Sequence, residues 1–179
     1  LSEIENITVL KDLVKVKDIK NFNYQIVHFD GPDRRGVDCA LLYRPEYFKV
    51  TNTAMHHVYT PEDPDFRTRD QLLVSGIFDG EEMHFIVLHW PSRSGGEKRS
   101  EPKRFAAADV TRSIVDSILT INPKAKIVIM GDLNDDPDNK SVRKRLQTQY
   151  KKEKAQLPYL YNATEPLFRN GVGSFAYID

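Results

Sequence analysis

The sequence has little with which to stabilise a fold covalently and nothing long enough to span a membrane. Among its 179 residues there is one cysteine, Cys39, which has no partner for an internal disulfide. No run of about 18 apolar residues occurs, and the first residues lack the basic start and apolar centre of a signal peptide. We therefore expect no transmembrane segment and a fold that depends on its hydrophobic core; the compartment stays open between cytoplasm and export.

An excess of charge of one sign is also missing. The 26 basic residues balance the 26 acidic ones, so no overall field would attract the protein to nucleic acid or to an anionic membrane. The charges are uneven along the chain, since stretch 140–154 holds seven Lys or Arg against one Glu, and stretch 132–138 holds four acids without a base. The preferred interpretation of the basic run is a solvated helix face or loop. Because the net charge is zero, any attraction to phosphate must be local.

What the sequence does contain is typical of one globular domain, which we assign to residues 1–179. Hydrophobic periodicity predicts helices over Ile4–Val16, Ser100–Ile121 and Val142–Tyr150, and strands over Tyr24–Phe29, Val37–Tyr43, Leu72–Phe78, Met83–Trp90 and Lys126–Met130. Asp79-Gly80 predicts a tight hairpin, and the last strand is apolar enough to be buried on both faces. Hairpins combined with long helices favour an α+β layered domain, an α/β sandwich.

The polar residues that follow the last strand are the first candidates for chemistry. If the chain stays extended, Asp132 and Asn134 point to the same side, at the carboxyl end of a strand where open α/β sheets bind ligands. Such an Asp can accept a proton from water and the Asn can orient that water. A sharp turn uses the same residue types, so this segment alone leaves both interpretations open. A calcium loop is excluded because Pro137 and Arg143 stand where Gly and Glu are required.

Three further segments carry candidate residues. A β-rich run ends in His89 and continues into a Gly-rich loop with Arg93, and both side chains can bind phosphate oxygens. Asp38 begins another strand, where it could hold a histidine in one tautomer, and Arg35 could meet an anion. Glu3 stands at the start of the first predicted helix, where the helix dipole also favours acids. Roles at the surface or in packing are assigned to His56, His57 and His84.

In this order, the four segments resemble the endonuclease/exonuclease/phosphatase superfamily, which has the DNase I-like fold. Its Gln-Glu metal motif is matched by Ser2-Glu3, its Arg-Gly-Ile-Asp-Val-Ala-Leu-Leu-Tyr-Arg strand by residues 35–44, its histidine-bearing strand by Leu88-His89, and its Gly-Asp-Phe-Asn by residues 131–134. The longer runs His-Trp-Pro-Ser-Arg-x-Gly-Gly and Gly-Asp-Leu-Asn-Asp-Asp-Pro resemble a bacterial branch of nucleases and phosphatases.

The resemblance implies a four-layer sandwich, with two mixed β-sheets packed face to face and helices outside, that hydrolyses phosphate esters with Mg²⁺ or Mn²⁺. By residue, it implies metal binding by Glu3, phosphate binding by His89, water activation and orientation by Asp132 and Asn134, and phosphate or supporting contacts by Arg35, Arg93 and Asp38. We expect a monomer that acts on nucleic acid. A phospholipid, inositol phosphate or other small phosphoester is the alternative substrate, and a degenerate member that only binds is the non-enzymatic alternative.

Two parts of the family pattern have no match in the sequence. The pattern begins with a strand bearing an Asn at the metal site and finishes with an Asp-containing strand and a terminal His. Neither is found between Leu1 and Asp179, although Asp179 itself could be the Asp of that last motif. We therefore expect residues 1–179 to be an incomplete domain without the first and last strands, with weak or no activity by itself.

Overall fold

The computed structural model describes residues 1–60 and 63–172. Its helices are α1 (Ile7–Leu13), α2 (Glu97–Ile121) and α3 (Glu165–Arg169), and its strands are β1 (Gln25–His28), β2 (Ala40–Tyr43), β3 (Phe48–His56), β4 (Gln71–Phe78), β5 (Glu81–His89), β6 (Lys126–Asp132), β7 (Thr148–Gln149) and β8 (Leu160–Tyr161). Among the described residues, no helix combines the length and hydrophobicity needed to cross a bilayer. Asp179 lies outside the described residues, so its assignment stays a prediction.

A four-stranded sheet in the order β3-β4-β5-β6 forms the centre of the structure. The β4–β5 hairpin turns at Asp79 and Gly80, whose φ angles of 50° and 80° suit the two central positions of a type I′ turn and confirm the predicted hairpin. The long helix α2 then connects β5 to β6, which lies parallel to β5. The central sheet is therefore mixed, whereas the smaller β1–β2 sheet is antiparallel.

The two faces of the central sheet pack against different layers. Leu73, Ile86 and Leu88 belong to a core cluster that includes the buried face of α2. Leu72 and Val87 point the other way and pack in a second cluster with residues of the β1–β2 pair. Helix α1 contacts β1, so helices lie outside the sheets. This arrangement confirms the predicted α+β sandwich.

The start of the chain differs from its prediction. Helix α1 begins at Ile7, because Asn6 caps it through hydrogen bonds from the backbone N–H groups of Thr8 and Val9 to its side-chain oxygen. Ile4 instead forms an isolated antiparallel bridge with Asp38. The prediction that Glu3 stands at the start of a helix is therefore wrong.

Three other elements also differ from the sequence-based expectations. The helix predicted over Val142–Tyr150 is replaced by a short π-helical turn, Ser141–Arg145, followed by β7. Strand β3 was not predicted from the sequence, because it is a polar edge strand with an irregularity in register between Val50 and Asn52. Residues 127–130 of β6 are only half-buried, since β6 lies at the edge of the described sheet.

Candidate active site

Parallel pairing of β5 with β6 brings two candidate side chains to the same edge of the central sheet. His89 and Asp132, the last residues of the two strands, are direct partners in the register. The backbone N–H of Trp90 donates to the Asp132 carbonyl at 2.8 Å and extends the pairing by one residue. The Nε2 atom of His89 consequently lies 3.9 Å from Oδ2 of Asp132.

Close approach of the two strand ends depends on a glycine. Gly131, the register partner of Leu88, has a φ of 135°, which side-chain-bearing residues rarely adopt. A Cβ atom at this position would lie 1.8 Å from the Leu88 carbonyl oxygen. The Gly of the Gly-Asp-Leu-Asn segment is therefore required by the strand contact that places Asp132 next to His89.

Glu3 reaches the same point from the other end of the chain. Its neighbour Ile4 exchanges two backbone hydrogen bonds with Asp38, of 3.1 and 2.8 Å. Glu3 itself has a φ of 61°, a left-handed conformation uncommon for a residue other than glycine and often found at functional sites. Its Oε1 atom lies 4.0 Å from Nε2 of His89.

Arg35 completes a cluster of four side chains. One of its terminal nitrogens lies 3.9 Å from Oε1 of Glu3, and its Nε lies 3.5 Å from Oδ1 of Asp33. The His89 side chain is 5% exposed, whereas those of Glu3, Asp132 and Arg35 are 59%, 55% and 56% exposed. A buried imidazole thus forms the floor of the site, and three charged groups surround it at the solvent.

Electrostatics favour the neutral form of His89. Burial lowers the pKa of the His89 imidazole, and the guanidinium of Arg69 lowers it further, against the opposing effects of Asp132 and Glu3. The Nδ1 atom of His89 is buried and has no hydrogen-bond partner among the described residues. With Nδ1 as the unprotonated nitrogen, Nε2 carries the proton toward the two carboxylates.

Asn134 adjoins the cluster through a turn and not through the extended geometry that we predicted. Strand β6 ends at Asp132, and Asn134 has a φ of 51°. Its backbone N–H donates to Oδ1 of Asp132 at 2.8 Å, while its side-chain amide donates to the Trp90 carbonyl at 2.9 Å. The first bond holds the Asp132 carboxylate in place, and the second ties the turn to the end of β5.

The guanidinium of Arg93 and the carboxylate of Asp38 lie outside this cluster of side chains. Arg93 donates to the carbonyl of Asn134 and to the side chains of Asp136 and Asn139, so it braces the loop that follows β6. The Asp38 carboxylate instead faces His28, at 3.2 Å from its Nε2. Phosphate binding by Arg93 stays a prediction, and Asp38 supports the site through its backbone contact with Ile4.

Sequence reasoning missed a buried arginine next to the site. Arg69 donates to the Trp90 carbonyl at 2.6 Å and to Asp33 at 3.2 Å, and both side chains of that ion pair are almost fully buried. Arg69 lies in the loop before β4, and a charged residue in a loop is ordinarily expected to be exposed at the surface. Nothing in its sequence context indicates that it lies near His89.

Clefts open on two sides of the cluster. The charged residues that line one of them, of about 550 Å³, are six basic residues and a single acid, namely Arg34, Arg35, Arg67, Arg69, Arg99, Lys103 and Asp33, and uncharged residues complete its lining. The other, of about 480 Å³, is lined by Asp132 and Asn134 together with apolar residues such as Leu167 and Phe168. The first cleft is suited to a polyanion, and the second gives Asp132 access to solvent.

The donor set suits a divalent cation that prefers oxygen ligands. Glu3 and Asp132 offer exposed carboxylates on the two sides of a neutral imidazole. Mg²⁺ is commonly held by one or two carboxylates and keeps several of its waters, which an open site allows. Glu3 and Asp132 are therefore the residues that could hold a metal here.

Comparison with known proteins gives a family match over the whole chain. A family model described as "Endonuclease/Exonuclease/phosphatase family" matches residues 1–179. No curated protein matches the sequence.

Several solved structures have a similar fold. The human Nocturnin catalytic domain with bound sulfate is 19% identical with a TM-score of 0.59, over 80% of this chain and 53% of that chain. ANGEL2, a 2',3'-cyclic phosphatase, is 14% identical with a TM-score of 0.61, over 80% and 40%. TDP2 from D. rerio, complexed with single-strand DNA product, is 16% identical with a TM-score of 0.55, over 81% and 50%. The chain thus spans about half the length of these proteins, and at such identities the likeness shows the fold alone.

Proposed function

Because this chain belongs to the endonuclease/exonuclease/phosphatase family, we propose that it is a metal-dependent phosphoesterase that cleaves nucleic acid. The observation that carries the proposal is the meeting of three side chains from distant parts of the sequence. Carboxylate oxygens of Glu3 and Asp132 lie 4.0 and 3.9 Å from Nε2 of the buried His89. General bases, phosphate ligands and metal ligands are the groups that phosphoester hydrolysis requires.

Asp132 is assigned to the attacking water. Its carboxylate is more than half exposed and is held by the backbone N–H of Asn134, so it can accept a proton from a water in the cleft. General base catalysis of this kind contributes about 10²- to 10⁴-fold to the rate. Asn134 keeps the carboxylate aligned and is the residue that we assign to orienting the water.

His89 and Arg35 are assigned to the scissile phosphate. A neutral His89 donates from Nε2 to a non-bridging oxygen, without a positive charge that would bind the carboxylates instead. Arg35 offers a planar fork of donors at the edge of the same site. Together they position phosphorus for attack by the water at Asp132.

Glu3 is assigned to the metal, and Asp132 is left free to accept the proton of the attacking water. When bound, Mg²⁺ or Mn²⁺ supplies charge neutralisation on the phosphate. Arg35, whose guanidinium lies 3.9 Å from Glu3, balances the charge of the free carboxylate. Replacement of Glu3 by Gln is expected to weaken metal activation, which a Mg²⁺ titration of the rate would measure.

A nucleic acid substrate is favoured by the basic cleft next to Arg35. Consecutive phosphates of a polynucleotide can occupy a groove lined by several Arg and Lys residues, whereas a small phosphoester fills only the catalytic point. The D. rerio TDP2 structure holds single-strand DNA product, and ANGEL2 is named as a 2',3'-cyclic phosphatase. A small cyclic phosphoester is therefore the second candidate substrate.

A substrate panel tests the proposal directly. The full-length protein would be incubated with DNA, RNA, an abasic duplex and inositol phosphates in Mg²⁺, with EDTA as the control. We expect metal-dependent cleavage of a nucleic acid. Cleavage of inositol phosphate alone would favour the small-substrate alternative, and no cleavage of any substrate would favour a binding module.

Charge reversal in the cleft separates the two substrate classes. Arg67→Glu combined with Arg99→Glu is expected to raise KM for an oligonucleotide tenfold or more while leaving hydrolysis of a small phosphodiester unchanged. Lys124→Glu, an exposed change at the opposite end of β6, is the matched control. Equal loss on both substrates would contradict the role of the cleft.

A further inference from the structure

The junction between β1 and β2 holds a second cluster of potential ligands. His28 ends β1, Asp30 follows two residues later, and Asp38 precedes β2. One ligand atom from each of the three lies within 4.8 Å of the others. We propose that His28, Asp30 and Asp38 bind a divalent transition-metal ion, through ligands other than Glu3 and Asp132.

The spacing of the two buried ligands suits a common metal. His28 Nε2 and Asp38 Oδ2 lie 3.2 Å apart, and their side chains are 2% and 8% exposed. Two ligands that are each about 2.0–2.2 Å from Zn²⁺ at a tetrahedral angle are separated by roughly 3.3 Å. An ion can therefore bind between the two atoms without any large movement of either side chain.

A third carboxylate, that of Asp70, faces the same place. Asp70 Oδ2 is buried and has no hydrogen-bond partner among the described residues, although its Oδ1 lies 2.7 Å from Nδ1 of His57. A Cβ added to Gly31 would lie 2.8 Å from Asp38 Oδ1 and 3.6 Å from Asp70 Oδ2. The absence of a side chain at Gly31 thus leaves space between two carboxylates, one of which has an unsatisfied buried oxygen.

The charge balance of the cluster calls for a cation. Three carboxylates gather here, and the ion pairs that the structure gives Asp38 and Asp70 are with His28 and His57. Buried carboxylates are costly unless they are paired or coordinate a metal. One imidazole with several carboxylates suits Zn²⁺ or Mn²⁺ better than Mg²⁺, which prefers oxygen ligands alone.

Metal binding here would also stabilise the segment that carries Glu3. The backbone of Asp38 is hydrogen-bonded in both directions to Ile4. An ion that links β1, the turn at Asp30 and the start of β2 would fix this bridge. We therefore expect Zn²⁺ to raise the melting temperature, independently of any substrate.

Calorimetric titration of purified, chelator-treated protein tests the site. The background variant Glu3→Gln/Asp132→Asn removes the carboxylates of the candidate active site and is titrated with Zn²⁺, Mn²⁺ and Mg²⁺. We expect one equivalent of Zn²⁺ or Mn²⁺ to bind and Mg²⁺ to bind much more weakly. Asp30→Asn should weaken the binding at least tenfold, and His28→Gln should weaken it at least a hundredfold.

The same set of variants includes controls for loss of folding. Asp30 is exposed, so Asp30→Asn is expected to keep the native circular dichroism spectrum and to decide the question even if His28→Gln unfolds. Asp79→Asn, in the β4–β5 turn at a positive φ that Asn accepts, is the matched control and should bind metal normally. Absence of saturable binding in the background variant would show that His28 and Asp38 form a hydrogen bond alone. Unchanged affinity in Asp30→Asn would show that the ion binds elsewhere. Either result would overturn the proposal.

Discussion

Two aspartates three residues apart, Asp132 and Asp135, have opposite environments. The Asp132 side chain is 55% exposed and is held by a backbone N–H, with no cation paired to it among the contacts of the described residues. The Asp135 side chain is 2% exposed and lies 2.7 Å from the Nε of Arg104, which is fully buried. One carboxylate is accessible to water and substrate, whereas the other is neutralised inside the protein.

Within this one short segment, Asp132 is available for chemistry and Asp135 supports the structure. Arg104 also donates to the hydroxyl of Ser100 and to the carbonyl of Glu97, so the ion pair anchors the loop after β6 to α2. Arg93 adds a second, half-buried contact to the same loop through Asp136. We infer that Asp132 can remain exposed and fixed because the residues immediately after it are tied down by two arginines.

The largest expected loss of stability comes from breaking the buried ion pair between Arg104 and Asp135. Arg104→Met removes the nearer of the two guanidinium groups beside the buried Asp135 and leaves Arg93, at 3.4 Å, as its cation partner; loss of one partner from a buried ion pair typically costs about 3–5 kcal/mol. Urea unfolding followed by circular dichroism would measure the change. Arg104→Met combined with Asp135→Leu is the control, since removal of both charges should restore much of the lost stability.

The second-largest loss of stability is expected where Gly131 of β6 contacts Leu88 of β5. Gly131→Ala forces a side chain into a backbone region that costs about 1–3 kcal/mol, and the new Cβ also meets the Leu88 carbonyl. We expect a lower melting temperature together with reduced activity, because the contact places Asp132 beside His89. Gly80→Asn, in a turn with open space around it, should be tolerated. A native-like melting temperature for Gly131→Ala would contradict this account of the strand ends.

Arg93 should matter less than Arg104. Its side chain is 24% exposed, so solvent screens its ion pairs with the loop. Arg93→Gln is expected to cost about 1 kcal/mol in unfolding free energy. Parallel urea titrations of the two variants would check the order, and an Arg93→Gln effect as large as that of Arg104→Met would reverse our ranking.

The smallest expected effect is a pH dependence of stability that comes from His89. Burial lowers the pKa of folded His89 below its unfolded value of about 6.5. The unfolded chain therefore takes up this proton first, so the stabilisation is present above that value and is lost as the pH falls through it. His89→Gln should lose less stability than the native protein between about pH 7 and pH 5. Identical pH profiles would indicate that the His89 pKa is not lowered.

Sequence patterns predicted those parts of the fold that depend on local signals. Asp79-Gly80 specifies its own turn geometry, α2 has helical periodicity, and β6 is a continuously apolar run, so these elements were predicted, whereas the pairing of β5 with β6 was not. His89 and Asp132 do lie together, as their register shows. Polar strand β3 could not be predicted because pairing with β4, and not its own composition, makes it a strand.

Other features depend on contacts between distant residues. Helix α1 begins at Ile7, after its cap Asn6, and not at the predicted Ile4, which forms a bridge with Asp38. Burial of Arg69 and the pairing of Asp38 with His28 likewise result from tertiary contacts that leave no periodic signal. Resemblance to a family supplied the roles that we propose for Glu3 and Asp132, which spacing alone had left open.

Hydrolysis by Asp132→Asn tests the central claim most directly. The full-length protein, Asp132→Asn and His89→Ala would be compared on a labelled oligonucleotide in Mg²⁺, with melting temperatures measured in parallel. We predict that Asp132→Asn keeps its stability, since its side chain is exposed, and loses at least about a hundredfold in kcat, in line with the loss of a general base. His89→Ala should lose activity by at least tenfold. Losses below tenfold in both variants, in folded protein that cleaves the substrate, would contradict the assignment of the active site to the ends of β5 and β6.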